Sequence, residues 1–598
     1  MQKLVELLRI LRPAERRRFW LILAGITLVA LGDVAGVASV IPFLGIVVNP
    51  ASASKFWGVT ELRTMTGIVD DRSFIIFVGI ASMLIITTSN LLNAWVTAAQ
   101  IRLANAIGVS LGRRLLSAYA TQDQVTLLGR NSSELGKNIL SEVDRTIVGV
   151  LVPAMTVISR AVAAGGIILF LVLIDPVIAL SLAAIFGGIY IAVYFIAQRW
   201  LANIGMSAID ANKERFRIVN ETFGALRELR LYGRVDAFVS RFDEPARVYS
   251  ETTATSLIVG QIPRFVLEPL AFASIVFLVV HSIMTGGNPA SVIPMAGMFA
   301  FAGYRLLPSL QHVFSGFASV RFYAPALATI LQTLRSEKAV PAERASVAPA
   351  APRFSRKLEF KKVGFSYPER PNVLVDINLS IAAETTVGLI GRTGSGKTTL
   401  ISLLLGLLHP ASGTILVDGV PLTGERLIAW QRKLGYVPQD VFLIDGSIAA
   451  NIALGLFDDE INLAAVEKAA RLANVHDFIA NLPAGYKTVV GERGARLSGG
   501  QRQRIGIARA LYHDPEVIVL DEATSGLDSE TEQTFLQAID QLAGQRTLIV
   551  VAHRPTTLRR ADVVHMIDGG RIVASGSLEA VMPSIDSDRR LPLGSAAV

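Results

Sequence analysis

"LIGRTGSGKTTLISLLLGLL", Leu389 to Leu408, decides the fold of the second half of this chain. A glycine-rich bend separates two apolar runs, and Gly391 to Thr398 fits the pattern G-x-x-x-x-G-K-[ST]. Glycines there let successive backbone N–H groups turn toward one anion, Lys397 adds positive charge for β- and γ-phosphates, and the Thr398 hydroxyl suits Mg²⁺. Gly391, Arg392, Thr393, Gly394, Ser395, Gly396, Lys397, Thr398 and Thr399 are the expected phosphate-binding stretch. Its context agrees: "TTVGLI" (Thr385 to Ile390) reads as a short buried strand, and the helical pattern that follows offers its positive N-terminus to the anion.

Working toward the C-terminus, "EVIVLDE" (Glu516 to Glu522) is a buried strand that ends in two carboxylates. Asp521 is expected to hold the Mg²⁺ shell, and Glu522 to orient or deprotonate an attacking water. Between the two lies "LSGGQRQRIGIARAL", in which Ser498, Gly499 and Gly500 open a helix, so that their N–H groups are expected to form a second phosphate-binding end. Strands alternating with helices after "RKLEFKKVGFSYP" imply an α/β core.

Toward the N-terminus, "VPAERASVAPAAP" (Val340 to Pro352) is too rich in Ala and Pro to bury a core and reads as an extended tether. Ahead of it the composition changes. With 51% apolar and 18% charged residues among 598, the chain is too hydrophobic for an ordinary soluble enzyme. The net charge of +8 comes from Lys and Arg crowded beside apolar segments, not from an aromatic-basic platform, which argues against a nucleic-acid partner. The absence of cysteine excludes disulfides and Cys-ligated metals.

A spanning helix needs about 20 mostly apolar residues. Six stretches qualify: Phe19 to Val48, Ser73 to Val96, Ile147 to Ile174, Pro176 to Gln198, Gln261 to Thr285 and Ser291 to Gly316. The first has a basic flank like a signal peptide, but its apolar run is too long for one, so it reads as a retained helix. Tight turns are expected at Asp175-Pro176 and at Gly286 to Pro289. Basic residues crowd the N-terminus and the second-to-third and fourth-to-fifth connections, so the positive-inside rule puts both termini in the cytoplasm. Those two connections keep a helix-forming composition and read as helices continuing into the cytosol, meeting at elbows near Gln124 to Leu135 and Phe223 to Arg234.

Charges within the spans are candidate functional groups. Counted back from the outer helix ends, Asp33, Arg160, Glu268 and Arg305 fall about 20 Å deep, at one level. They can line a substrate cavity whose arginines take an anionic head group, or simply pair with one another. Arg264 sits nearer the inner edge.

Taken in order, these motifs resemble the ATP-binding cassette family, over nearly the whole chain. The resemblance implies a six-span α-helical exporter-type transmembrane domain (1–335), a linker (336–353), a cytosolic α/β P-loop ATPase cassette (354–584) and a disordered tail (585–598). Tyr367 in "FSYP" resembles the aromatic that stacks on adenine, and Gln439 in "YVPQD" the glutamine that touches Mg²⁺ and reports to the membrane domain. Leu497 to Gln501 (LSGGQ) resembles the signature that closes on another cassette's phosphate loop. "GERG" (Gly491 to Gly494) is similar to the loop contacting the elbows, "SGLD" (Ser525 to Asp528) to the loop crossing between cassettes, and His553 to the histidine that holds the γ-phosphate. Because a site needs two cassettes and this chain has one with Glu522, His553 and LSGGQ all in place, the resemblance implies a homodimer. ATP and Mg²⁺ are the implied cofactors, and ATP hydrolysis coupled to transport the implied activity.

"AFAGYRLLPSL" (Ala300 to Leu310) and "ETFGALRELRLYGR" (Glu221 to Arg234) further resemble bacterial lipid-linked oligosaccharide flippases. That resemblance implies a polyprenyl-pyrophosphate glycan turned across the bacterial inner membrane. An exporter of lipids, drugs or small peptides is the alternative, and an ATP-gated channel or sensor a more distant one.

Overall fold

The computed structural model describes residues 6, 8–48, 59–129, 131–174, 176–284, 289–336, 354–523, 532–533, 542–552 and 555–589. The expected linker lies outside them beyond Ser336. The chain divides into two compact units, Met1–Gln122 with Gly129–Val340, and Asp123–Leu128 with Pro341–Val598.

The first unit is helical. Its elements are α1 (Pro13–Val48), α2 (Val59–Thr66), α3 (Asp71–Ala120), α5 (Ser132–Ile174), α6 (Pro176–Gly224), α7 (Leu226–Leu231), α8 (Val235–Met284) and α9 (Pro289–Ser336), while α4 (Gln124–Leu128) is grouped with the second unit. Six of these helices are long and apolar enough to cross a membrane. All six expected spans fall on them, but most of the helices run much further. The 50 residues of α3 extend about 75 Å at 1.5 Å per residue, more than twice the hydrocarbon thickness of about 30 Å. The expected cytosolic extensions are therefore continuous with the spans, and the short helices α4 and α7 fall within the expected elbows.

Local chemistry sets the helix starts. Asp70 accepts the Ser73 N–H at 2.9 Å to open α3, and Asn131 caps α5 through the Ser133 N–H. Within α5, two π-helical turns, Asn138–Glu142 and Ile147–Leu151, occur in the stretch that carries a buried ion cluster. Glu142 is fully buried there, between Lys137 at 3.4 Å and Arg145 at 3.3 Å. A core of Ile26, Ile107, Leu111, Leu151 and Leu327 joins α1, α3, α5 and α9.

The second unit is the α/β domain. A six-stranded sheet has the order β10-β9-β3-β8-β7-β6, built from β3 (Thr386–Ile390), β6 (Leu434–Val437), β7 (Val517–Asp521), β8 (Thr547–Val551), β9 (Val563–Asp568) and β10 (Arg571–Gly576). All its pairings are parallel except β9 with β10. Every residue of β3, β7 and β8 is buried, which is why these strands read as unbroken apolar runs. A second, antiparallel sheet, order β2-β1-β4-β5, contains β1 (Lys357–Tyr367), β2 (Arg370–Ala382), β4 (Ser412–Val417) and β5 (Val420–Pro421). Val125 of α4 is partly buried against the core that β1, β2 and β3 share. The principal helices are α10 (Lys397–Leu404), α11 (Glu425–Gln431), α12 (Ile448–Ile452), α13 (Leu463–Leu472), α14 (His476–Ala480), α15 (Gly499–Leu511) and α16 (Leu578–Arg589). Helix α16 overlaps the start of the segment expected to be a disordered tail from residue 585, because its apolar Val581 is buried against the sheet domain's core and anchors the helix.

Candidate functional site

In a parallel sheet, ligands bind beyond the carboxyl ends of the strands. Strands β3 and β7 both neighbour β8, so the phosphate loop leaving β3 and the carboxylates ending β7 come out at the same edge. The loop needs glycine where the backbone turns: Gly394 and Gly396 have φ of 82° and 106°, left-handed values that other residues adopt at a cost. Gly396 then caps α10, which starts at Lys397.

The Lys397 ammonium donates to the carbonyls of Gly391 at 2.8 Å and Arg392 at 2.9 Å, so it lies across the mouth of its own loop. Burial pulls its pKa below the usual lysine value, opposed by the nearby Glu522 and Asp521 carboxylates. Thr398 is exposed, whereas the Thr399 hydroxyl is buried and lies 3.4 Å from the Tyr367 hydroxyl. Ser395 is buried, and its Oγ has no hydrogen-bond partner among the described residues. A glycine-turned loop, a buried cation and an orphaned hydroxyl fit a nucleotide phosphate, with the exposed Thr398 hydroxyl and Asp521 as the oxygen donors a Mg²⁺ would take.

Across the cleft, Gln439 Nε2 donates to Glu522 Oε2 at 2.8 Å. Glu522 has φ of 51°, a left-handed conformation unusual for a side chain other than glycine and of the kind held at functional sites at a cost on the order of 1 kcal/mol. Its N–H donates to Val551 O at 3.1 Å, tying that backbone to the end of β8. Tyr436, which no sequence motif singled out, donates its hydroxyl to Asp521 Oδ2 at 3.4 Å. Burial, with the Asp521 charge adding to it, pushes the Tyr436 pKa up to about 12, so the hydroxyl keeps its proton and remains a donor. The only sequence signal for it is its place in "GYVPQD", three residues before Gln439.

The signature end differs from the sequence expectation in one respect. Ser498 caps α15 by accepting the Gln501 N–H at 3.3 Å, and Gln501 Oε1 reaches back to the Ser498 N–H at 2.8 Å. This capping box occupies the Ser498 N–H that was expected to be open to phosphate and leaves the N–H groups of Gly499 and Gly500 at the helix start. His553 and Asp528, with the rest of "SGLD", lie outside the described residues.

In the first unit, Asp33 of α1 is buried and faces two guanidinium groups, Arg160 of α5 at 3.8 Å and Arg305 of α9 at 3.7 Å. Ser89 Oγ of α3 donates to the same carboxylate at 3.4 Å. The side chains of the two arginines stay 28% and 25% exposed, whereas the acid between them is buried. Glu268, expected at this level, lies outside the cluster. It pairs with Arg264 one turn earlier on α8, both about 60% exposed, because they share a helix face that height along the axis does not reveal.

A strand-borne phosphate loop, a carboxylate pair, a glutamine and a capped signature helix together define an ATP-binding cassette ATPase domain, fused here to six membrane helices. Residues 374–525 match the family profile described as ABC transporter, and the six helices long and apolar enough to cross a membrane precede them in the same chain. It is 36% identical over 392 residues to the ATP-dependent lipid A-core flippase of Alkalilimnicola ehrlichii, covering 64% of this chain and 63% of that protein. It is 33% identical over 393 residues to the mitochondrial ATP-binding cassette sub-family B member 10 of Mus musculus, covering 64% and 54%. The aligned region thus spans less than two thirds of either relative. The structure of a bacterial Atm1-family ABC exporter with ATP bound superposes with a TM-score of 0.76 at 21% identity, covering 97% of this chain and 99% of that one, so the fold is that of an exporter of this type.

Proposed function

We propose that this chain is an ATP-driven exporter of the bacterial inner membrane that works as a homodimer and turns an anionic amphipathic lipid outward, with a polyprenyl-pyrophosphate glycan as its substrate. The observation that carries the substrate reading is the pair of partly exposed arginines on Asp33: one buried carboxylate against Arg160 and Arg305 leaves the cluster with a net positive charge. Pyrophosphate oxygens suit such a pair, since guanidinium binds phosphate in a planar two-point geometry. The relatives named as lipid A-core flippases support lipid export as the coarser activity.

In this reading the Gly391–Thr399 loop holds ATP phosphates, Tyr367 faces the base, and Thr398, Gln439 and Asp521 face Mg²⁺, which would neutralise phosphate charge. Glu522 orients or deprotonates the attacking water, held by Gln439 through the hydrogen bond already described. Ser498, Gly499, Gly500, Gln501 and Asp528 belong to the part that meets a second copy's nucleotide, and His553 to the γ-phosphate. Both termini and the cassette are cytoplasmic.

The test is ATP-driven reorientation of a labelled polyprenyl-pyrophosphate glycan in proteoliposomes, comparing wild type with Glu522→Gln and Arg305→Ala. Reorientation should require Glu522 and fall on removal of Arg305. A preparation that hydrolyses ATP without moving the glycolipid would reject this substrate and turn the search to small amphipathic compounds.

A further inference from the structure

The segment that carries Gln439 is fastened to the signature helix, not only to its own strand. Leaving β6, the chain runs through Pro438 to Ser447 before entering α12. Along that path α15 holds it at three points. Gln503 Nε2 donates to Pro438 O at 3.5 Å. Gly506 lies so close to Val441 that an added Cβ would sit 2.6 Å from a Val441 methyl, so a side chain there would push the segment away. Arg509 then uses its whole guanidinium: Nη1 donates to Phe442 O at 2.8 Å, Nε to Asn451 O at 2.8 Å and Nη2 to Asn451 Oδ1 at 3.2 Å.

Asn451 completes the fastening. It is fully buried, accepts the Ile444 N–H at 3.0 Å, and donates to Ile444 O at 3.0 Å and Ser447 O at 3.1 Å. Arg509 and Asn451 therefore clamp both ends of the stretch Phe442–Ser447 while Gln439, just before it, bonds Glu522. Helix α15 begins at the Ser498 capping box, so one helix carries the signature at its start and the clamp near its end.

We infer that Arg509 is a positioning residue for ATP hydrolysis: through Phe442 and Asn451 it makes the Gln439 segment and the signature helix move as one body, so that Gln439 is held on Glu522 only when the signature end is correctly placed. This rests on the ATPase reading above but not on the identity of the exported lipid. A guanidinium is required because the clamp uses three donors in one plane, which a lysine ammonium cannot reproduce.

The test uses the full chain in lipid nanodiscs, with ATP Kd, ATPase kcat and KM, and Tm measured for Arg509→Gln, Arg509→Lys and Gly506→Ala. Arg509→Gln is expected to lower kcat about tenfold while Kd for ATP changes less than about twofold, with Arg509→Lys intermediate. Gly506→Ala removes no hydrogen bond and keeps a helix-compatible residue, yet should lower kcat about threefold by displacing Val441, with the double variant less than multiplicative. If Arg509→Gln fails to fold, Gly506→Ala decides the question. Loss of ATP binding in step with kcat, or an unchanged kcat in Gly506→Ala, would overturn the inference and leave the clamp purely structural. A wild type that hydrolyses ATP without moving glycolipid removes the substrate proposal alone; a wild type without ATPase activity removes the ATPase reading and this inference with it.

Discussion

The cassette cleft and the membrane cluster each gather a cation and a carboxylate, but they are assembled in opposite ways. In the cleft, the groups are delivered by backbone: a left-handed glycine loop, the end of a buried strand and a left-handed glutamate, each within a short motif. In the membrane, Asp33, Arg160 and Arg305 come from three separate helices, far apart in sequence, which apolar packing around Val37, Ile167 and Ala302 brings together. Backbone-built sites hold their geometry for chemistry, whereas clusters of long side chains can open and close around a guest. The comparison makes the cleft intolerant of small changes in atom type and the cluster tolerant of shape but sensitive to charge.

Glu522→Gln should break it most visibly. Replacing the proposed base with a neutral isostere is expected to lower ATPase turnover about 10²- to 10³-fold while ATP still binds, measured by phosphate release and nucleotide titration of the full chain. An equal loss of binding would mean that Glu522 serves the loop and not the reaction. Lys397→Ala should follow, weakening ATP binding about ten- to hundredfold, since a charge-assisted contact to phosphate is worth about 1.5–3 kcal/mol. Unchanged affinity would remove the phosphate role for the loop cation.

The membrane cluster answers to charge. Asp33→Asn leaves two guanidiniums without their counter-charge and is expected to destabilise the chain by about 1–3 kcal/mol, less than a fully buried pair would because both arginines are only partly buried. Thermal unfolding in nanodiscs reads this directly. An unaltered midpoint would show that water or lipid already screens the arginines and that Asp33 does not hold them.

The difference in construction also explains what the sequence made legible. The cassette could be read residue by residue because its chemistry lies in contiguous motifs, and the spans because each is one apolar run. Depth counting placed Asp33, Arg160 and Arg305 at one height but also included Glu268, since height along a helix carries no information about which way a side chain faces. At Ser498 the missed signal was present: Ser-x-x-Gln is the pattern of a capping box, and it explains why that N–H is occupied. Tyr436 had no such pattern. A half-buried strand tyrosine is ordinary, and only the fold brings it to Asp521.

Tyr436 and Ser89 give the finest test, because each offers one hydroxyl 3.4 Å from its site's carboxylate. At that length neither bond is strong, and Tyr436→Phe and Ser89→Ala should each cost less than about 1 kcal/mol. Their readouts should nevertheless separate. Tyr436→Phe leaves Asp521 with one fewer donor at the proposed Mg²⁺ position, so its effect should fall on the metal concentration needed for half-maximal ATPase activity, by less than about fivefold. Ser89→Ala should leave that value and the ATPase rate unchanged, because Asp33 keeps both arginines, and should lower only the unfolding midpoint. If both substitutions moved the metal dependence, Ser89 would be acting on the cassette through the helices, and treating the two sites as independently built would be wrong.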